Sequence, residues 1–354
     1  MAKLIDDKGI DEFEGVKKAQ EELKAVLKRA ADLKAYISEH QAGAEWLRLE
    51  NEKEFDAVQK AADEALEDRL TITCSESAKI YDMLTKTPLY DKARGQWNWG
   101  MNEKQIVIDS HRPSHVQLTG VIALASIGRI KEATEFYDKL TESALYDKTA
   151  CLWNHHMSVA QQVESSGWAA YSQLSDVIAL ALIGRKEESI NFYNLLEKTE
   201  LYDKERNQWN HEINIKQKII CSDRHPYSQL LGVLALSLIG RKEESLEAYN
   251  QLMETPLYDE SCGQWNYELN SKQELISSIR QSAEQLIGIA FMANNGMAKE
   301  ANKLYTRLTK SELYDKERMQ WNCAINADQQ LQDTNRNAHI QLWGVAALAM
   351  LEAR

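Results

Sequence analysis

Residues 229–266 read QLLGVLALSLIGRKEESLEAYNQLMETPLYDESCGQWN, and the fold follows from how this stretch divides. Gln229 to Ile239 is apolar on every side, and a helix of that kind must be buried on every side. Gly240 ends it, the residue best suited to a left-handed C-cap. From Lys242 the apolar residues recur at helical spacing with charges between them, which predicts an amphipathic helix ending near Leu257-Tyr258-Asp259. A turn and short hairpin then begin at Gln264-Trp265-Asn266.

The same sentence is written five times. Tyr81, Tyr137, Tyr193, Tyr249 and Tyr305 are spaced by 56 residues, as are Trp97, Trp153, Trp209, Trp265 and Trp321, each followed by Asn. Gln117, Gln173, Gln229, Gln285 and Gln341 keep the step, and Gly128, Gly184, Gly240 and Gly296 mark helix ends. One apolar and one amphipathic helix per unit predict two concentric layers, an inner wall and a solvated outer ring. Residues 1–75 read as a degenerate first repeat. Glu45-Trp46-Leu47 echoes Gln96-Trp97-Asn98, with an outer helix near 11–36 and an inner one near 54–69. The expected architecture is all-α: one (α/α)6 toroid over residues 1–354, with five regular copies in 76–354 and residues 1–75 closing the ring. The alternative is an open superhelix, since Gly-Arg-Lys-Glu-Glu-Ser followed by Tyr and Leu resembles tetratricopeptide helix pairs.

The run Leu-Tyr-Asp-x-x-x-x-Gln-Trp between a helix and a hairpin resembles the inter-helix turns of six-hairpin toroids, which include glycoside hydrolases, sugar epimerases and terpenoid cyclases. Leu152-Trp153-Asn154-His155, followed by Glu164-Ser165-Ser166-Gly167, is similar to a segment of the unsaturated uronyl hydrolases. That resemblance implies a catalytic aspartate at the start of an inner helix, for which Asp176 would stand; the family's Arg-Gly-Asn motif does not occur here.

Composition narrows the partners. With 54 acidic and 42 basic residues the net charge is −12, which disfavours a phosphate backbone. Five cysteines at different phases of the repeat make no disulfide framework, and no stretch approaches a membrane span, so a cytoplasmic protein is expected. No phosphate loop, Cys-x-x-Cys or His-Glu-x-x-His occurs; His155-His156 lacks ligand spacing, so neither metal nor cofactor is expected. Oligomeric state is not legible.

What recurs in every unit is first explained by the fold; what differs at a shared phase is the better functional suspect. The hairpins share one end of the ring with the inner-helix N-termini, where Arg112, Arg224, Arg280 and Arg336 stand in one phase, with Trp168 in the remaining copy. They would either bind an anion or pair with the Asp of each Leu-Tyr-Asp turn. Trp153 and Trp209 would pack the turns or serve as stacking platforms. After Trp-Asn come Trp99, His155, His211, Tyr267 and Cys323; two residues before the recurring Gln come His115, Tyr171, Tyr227, Ala283 and His339. Asp176 replaces Gly120, Gly232, Gly288 and Gly344 of the other copies, and either carries the proton chemistry with His155 or His211 or is a paired structural carboxylate. Glu212, Glu268 and Glu284 are candidate second acids. The expected function is binding, and transformation by general acid/base chemistry, of a small polar, anionic, carbohydrate-like ligand at the hairpin end. A non-enzymatic scaffold for protein partners and a terpenoid or prenyl-chain enzyme are the alternatives.

Overall fold

Each inner helix begins where a short strand reaches the hairpin end, and that junction repeats through the part of the chain that can be described. The computed structural model describes residues 75–165 and 167–353, together with Lys28. The inner helices are α2 (Ser114–Ser126), α4 (Ala170–Leu182), α6 (Pro226–Ile239), α8 (Ser282–Asn294) and α10 (Ala338–Glu352). The outer helices are α1 (Glu76–Leu84), α3 (Ile130–Thr141), α5 (Lys186–Leu196), α7 (Lys242–Met253) and α9 (Ala298–Leu308). Every residue of α2 from Ser114 to Ala125 is buried, whereas α3 buries only Ala133, Tyr137 and Leu140, as one wholly apolar and one amphipathic helix require. Gly128, Gly184, Gly240 and Gly296 take positive φ of 80–97° just past the inner helices.

The inner helices pack in sequence, α2 on α4, α4 on α6, α6 on α8 and α8 on α10, and α10 then packs on α2. The outer helix α1 lies against α10. Polar contacts seal the same seam: Arg336 and Asn337 pair antiparallel with Met101 and Gly100, the Ala338 amide donates to the Trp99 carbonyl at 2.9 Å, and the Glu76 amide donates to the Glu352 carboxylate at 2.9 Å. Among the described residues the circle therefore closes with five helix pairs, and the closed ring displaces the open superhelix. Five inner helices in direct succession, where six were expected, complete this circle among the described residues. The proposed worn repeat itself, including the helices near 11–36 and 54–69, lies outside the described residues.

Nor is the fold purely all-α, since among the described residues twenty-four strands of two or three residues build the hairpins and seams. In each unit the Leu-Tyr-Asp strand pairs with the Gln-Trp strand, as Tyr202 with Trp209. Between units, a strand before one inner helix joins the next unit's hairpin in a three-stranded sheet, as at 112–113 with 156–157 and 163–165. Among the described residues no helix is long and apolar enough to cross a membrane.

The recurring residues hold this frame. Gln229 accepts from the Trp209 amide and donates to its carbonyl, both at 2.8 Å, so one buried side chain supplies the bonds a neighbouring strand would. The other four glutamines repeat the pair on Trp97, Trp153, Trp265 and Trp321. Each Trp-Asn asparagine donates to the carbonyl just before Leu-Tyr-Asp, as Asn98 does to Pro88 at 2.9 Å.

Candidate functional site

The two divergent positions of the repeat meet on the ring axis at the hairpin end. In four units the residue after Trp-Asn is fixed by its carbonyl, which accepts the first amide of the inner helix across the seam: Trp99 from Ala338, His155 from Ser114, His211 from Ala170 and Cys323 from Ser282. Their neighbours are the first-turn residues of the inner helices, His115, Tyr171, Tyr227 and His339, which touch one another around the axis. Ring centroids lie 4.8 Å apart for His115 and Tyr171, 5.3 Å for His115 and His339, and 5.9 Å for Tyr171 and Tyr227. Trp99 stacks on His339 at 5.1 Å with an interplanar angle of 21°. The Trp343 indole donates to the Tyr227 hydroxyl at 3.1 Å, a buried contact.

Above these rings opens a cup of about 220 Å³, bordered by Trp99, His211, His225, Tyr267, Gln281 and Glu284 among others. A side cleft of about 330 Å³ shares Trp99, His115 and Tyr171 with it and runs out past His155 and His156 to Asp109 and His111. Ala283 and Cys323 complete the two phases without bordering either space.

Burial sets the electrostatics. It pushes the His155 pKa down to about 4, helped by His156 and His211; it pushes His211 down to about 4, helped by His225, and His339 down to about 3. His115 is driven well below the ordinary histidine value by burial and then by His339. All four are therefore neutral near pH 7. Burial raises the fully enclosed Glu284 carboxyl to about 7, so it exchanges a proton in the physiological range. Tyr171 lies 2.6 Å from His155 Nε2 through its hydroxyl, whereas Nδ1 of His115, His211 and His339 and Oε2 of Glu284 have no partner. These atoms are themselves enclosed, so a ligand meets them only after a small shift of the side chains; one carrying several hydroxyls would then satisfy them where a hydrocarbon would not.

Three groups of expected site residues lie elsewhere. Arg112, Arg224, Arg280 and Arg336 are buried and committed to Asp91, Asp203, Asp259 and Asp315 at 2.5–2.6 Å, so the guanidinium ring serves the turns and not an anion at the mouth. Trp153 and Trp209 are buried between inner helix and outer tyrosines, with Tyr137 and Tyr146 at 6.1 and 5.0 Å from Trp153, and offer no stacking face. Asp176 does not face the axis. In the other units the indole occupies this place: a Cβ on Gly232 would come within 2.3 Å of Trp209 Nε1, and one on Gly344 equally close to Trp321. Asp176 is enclosed in the wall beside Trp153 and Tyr137, with Oδ1 unpartnered, and burial raises its pKa to about 7. Its expected meeting with His155 or His211 does not occur.

His225 and Gln281 were not among the expected site residues. They belong to a third divergent phase, Pro113, Ala169, His225, Gln281 and Asn337, immediately before the inner helices, which the same rule would have flagged.

No known protein family matches the chain in sequence, and no curated protein does. Its fold is similar to solved (α/α)6 toroids. A cellobiose 2-epimerase from Bacillus thermoamylovorans B4167 superposes with a TM-score of 0.55 at 13% identity, over 78% of this chain and 99% of that one. A D-mannose isomerase gives 0.55 at 11% identity, over 77% and 96%, and a sugar epimerase from a ruminal bacterium 0.53 at 9%, over 77% and 98%.

Proposed function

We propose that the axial cup binds the carbonyl end of a small, uncharged sugar and moves a proton at the adjacent carbon, as an epimerase or isomerase does. The observation that carries this reading is the convergence of three imidazoles with free ring nitrogens and one buried carboxyl, Glu284, on a single cup. Proton abstraction next to a carbonyl needs a neutral base at the carbon and a donor at the oxygen. A neutral imidazole among His115, His211 and His339 takes the C2 proton, and Glu284 donates to the carbonyl oxygen as the bonding electrons shift toward it. The enediol then takes a proton from a second imidazole at C2 on the opposite face while O1 returns its proton to Glu284, giving the epimer, or takes a proton at C1 while O2 gives its proton to the Glu284 carboxylate, giving the ketose. Trp99 offers a flat face for the sugar ring. A volume of about 220 Å³ suits one sugar unit, with the side cleft available to a second.

Two considerations support this over the wider field. The fold is similar to that of a cellobiose 2-epimerase, a D-mannose isomerase and a sugar epimerase. The pairing of all four arginines removes the reason to prefer an anionic ligand. The test is incubation with unprotected aldoses and 2-ketoses in D2O, followed by NMR. Deuterium should enter at C2 of an aldose and at C1 of a 2-ketose, and Glu284→Gln should slow this by about 10²-fold or more while leaving the fold intact. No exchange into any sugar of the panel, with no sugar shifting the melting temperature, would refute the proposal.

A further inference from the structure

The seams give an internal control, because the same three places recur at all five, four of them as three-stranded sheets and the fifth as a two-stranded hairpin bridged between Arg224 and Leu269. One is the residue before the seam strand, one faces it on the next unit's hairpin, and one lies on that hairpin's outer strand. At the seam between α2 and α4 these are His111, His156 and Glu164. At another they are Gly167, Glu212 and Ile220, and no other seam carries a histidine at any of the three. Glu164 stands where three units have isoleucine, at Ile108, Ile220 and Ile276. Only Glu164 replaces a recurring residue; the other two places vary among the units, and Asp223 with Glu268 sets two carboxylates at another seam, but the α2–α4 seam alone has a metal-ligating side chain at all three.

The geometry brings those side chains together. His111 Nε2 is 2.9 Å and His156 Nε2 3.8 Å from Glu164 Oε2, and one ligand atom from each residue lies within 4.8 Å of the other two. Asp109 Oδ1 sits 2.5 Å from His111 Nδ1. A carboxylate holding one ring nitrogen as its donor leaves the lone pair on the other, the arrangement by which outer carboxylates orient metal-bound histidines. With that tautomer, His111 Nε2 and Glu164 Oε2 both present lone pairs to the same space, which a metal ion would satisfy. Two imidazoles and one carboxylate suit zinc and its neighbours in the first transition row. Adjacent His155-His156 lacks ligand spacing by itself; the missing donors arrive across the seam and from the hairpin's outer strand.

We propose that His111, His156 and Glu164 bind one divalent transition ion of zinc type at the edge of the side cleft. Its remaining coordination positions open to the cleft, where water or a ligand oxygen completes the shell. The proposal is independent of the sugar chemistry above, and its test does not use turnover.

The full-length protein, stripped with chelator, is titrated with Co2+ by visible absorption and with Zn2+ by calorimetry. One equivalent should bind, with cobalt d–d bands and no thiolate charge-transfer band. His156→Ala and Glu164→Gln should each weaken binding at least 10-fold, and Asp109→Asn by about 10-fold through loss of orientation alone. All three sites are at least partly exposed on the hairpins, and circular dichroism checks that the variants remain folded. Absence of stoichiometric binding at about 100 μM metal would overturn the proposal. Binding that survives in a His111→Ala, His156→Ala double variant, or that shows thiolate charge transfer, would overturn it equally.

Discussion

Asp176→Asn isolates the electrostatics of one buried carboxyl. Burial raises its pKa from 3.8 to about 7, against the smaller opposing pull of Trp153, Tyr137 and Arg185. The folded state then holds a proton that the unfolded state has released between those two values, so stability falls as pH rises through that window and levels off above it. At 1.36 kcal/mol per unit, the cost grows from well under 1 kcal/mol at pH 4 to about 4 kcal/mol at pH 8, an upper figure for a wall able to relax. The amide has no charge to bury, so the variant should lack this slope. Asn also brings a donor that Tyr137 and Trp153 are poorly placed to accept, at about 1–3 kcal/mol, but that cost is independent of pH. The informative quantity is therefore the change in the gap between the two proteins, expected to move by about 3 kcal/mol in favour of Asn from pH 4 to pH 8. At roughly 2–4 °C per kcal/mol for a domain of this size, the melting temperatures should shift relative to one another by about 6–12 °C. Parallel melting curves across that range would refute the assignment. Because Asp176 lies in the wall, sugar-dependent proton exchange should be unchanged in Asp176→Asn and Asp176→Gly; loss of exchange with the fold intact would put it back at the site.

Gln229→Ala removes two bonds to the buried Trp209 backbone and leaves its amide and carbonyl unpaired, which should lower stability by about 2–4 kcal/mol in urea unfolding without altering ligand affinity. Arg224→Ala strips Asp203 of its buried partner and should cost about 3 kcal/mol, while the ratio of affinities for a neutral sugar and the matching sugar acid stays within twofold. A changed ratio would return the arginines to ligand binding. A chain of residues 74–354 should fold by itself, since the α10–α2 seam closes the ring within it; helical circular dichroism and a cooperative melt would agree, and a molten product would show that residues 1–73 are needed.

The repeat, the helix pairs, their glycine caps and the end of the ring that carries the cup were all legible, because each follows from bonds within one unit, written five times. The number of units in the circle was not. Closure rests on Arg336 meeting Met101 and Ala338 meeting Trp99, contacts more than 230 residues apart that leave no local trace. The orientation of Asp176 was available and overlooked. It follows Gln173 by three residues and therefore shares the helix face that Gln173 turns toward Trp153, whereas Tyr171 and Ser175 share the other. The partnership of His111 with His156 and Glu164 was hidden for the same reason as closure: a seam sheet, not spacing, assembles it.

Divergence at the axial positions has a packing cause that must be separated from function. Identical side chains on five units arrive at one axis from every direction, and five tyrosines or five histidines would collide or leave the centre unfilled; some of the variety among His115, Tyr171, Tyr227, Ala283 and His339 is thus required merely to close the middle. Packing alone, however, favours atoms that satisfy one another, as Trp343 and Tyr227 do. It gives no reason to bury Glu284 with Oε2 unpaired, or to turn three imidazoles so that Nδ1 meets nothing. Apolar residues at those four places would fill the same space at lower cost in desolvation, so retaining titratable groups there is what distinguishes a working cup from a plug. Glu284→Leu and His339→Phe should accordingly each raise the melting temperature, and Glu284→Leu should abolish proton exchange; a fall in stability in both would mean that these side chains serve the packing after all.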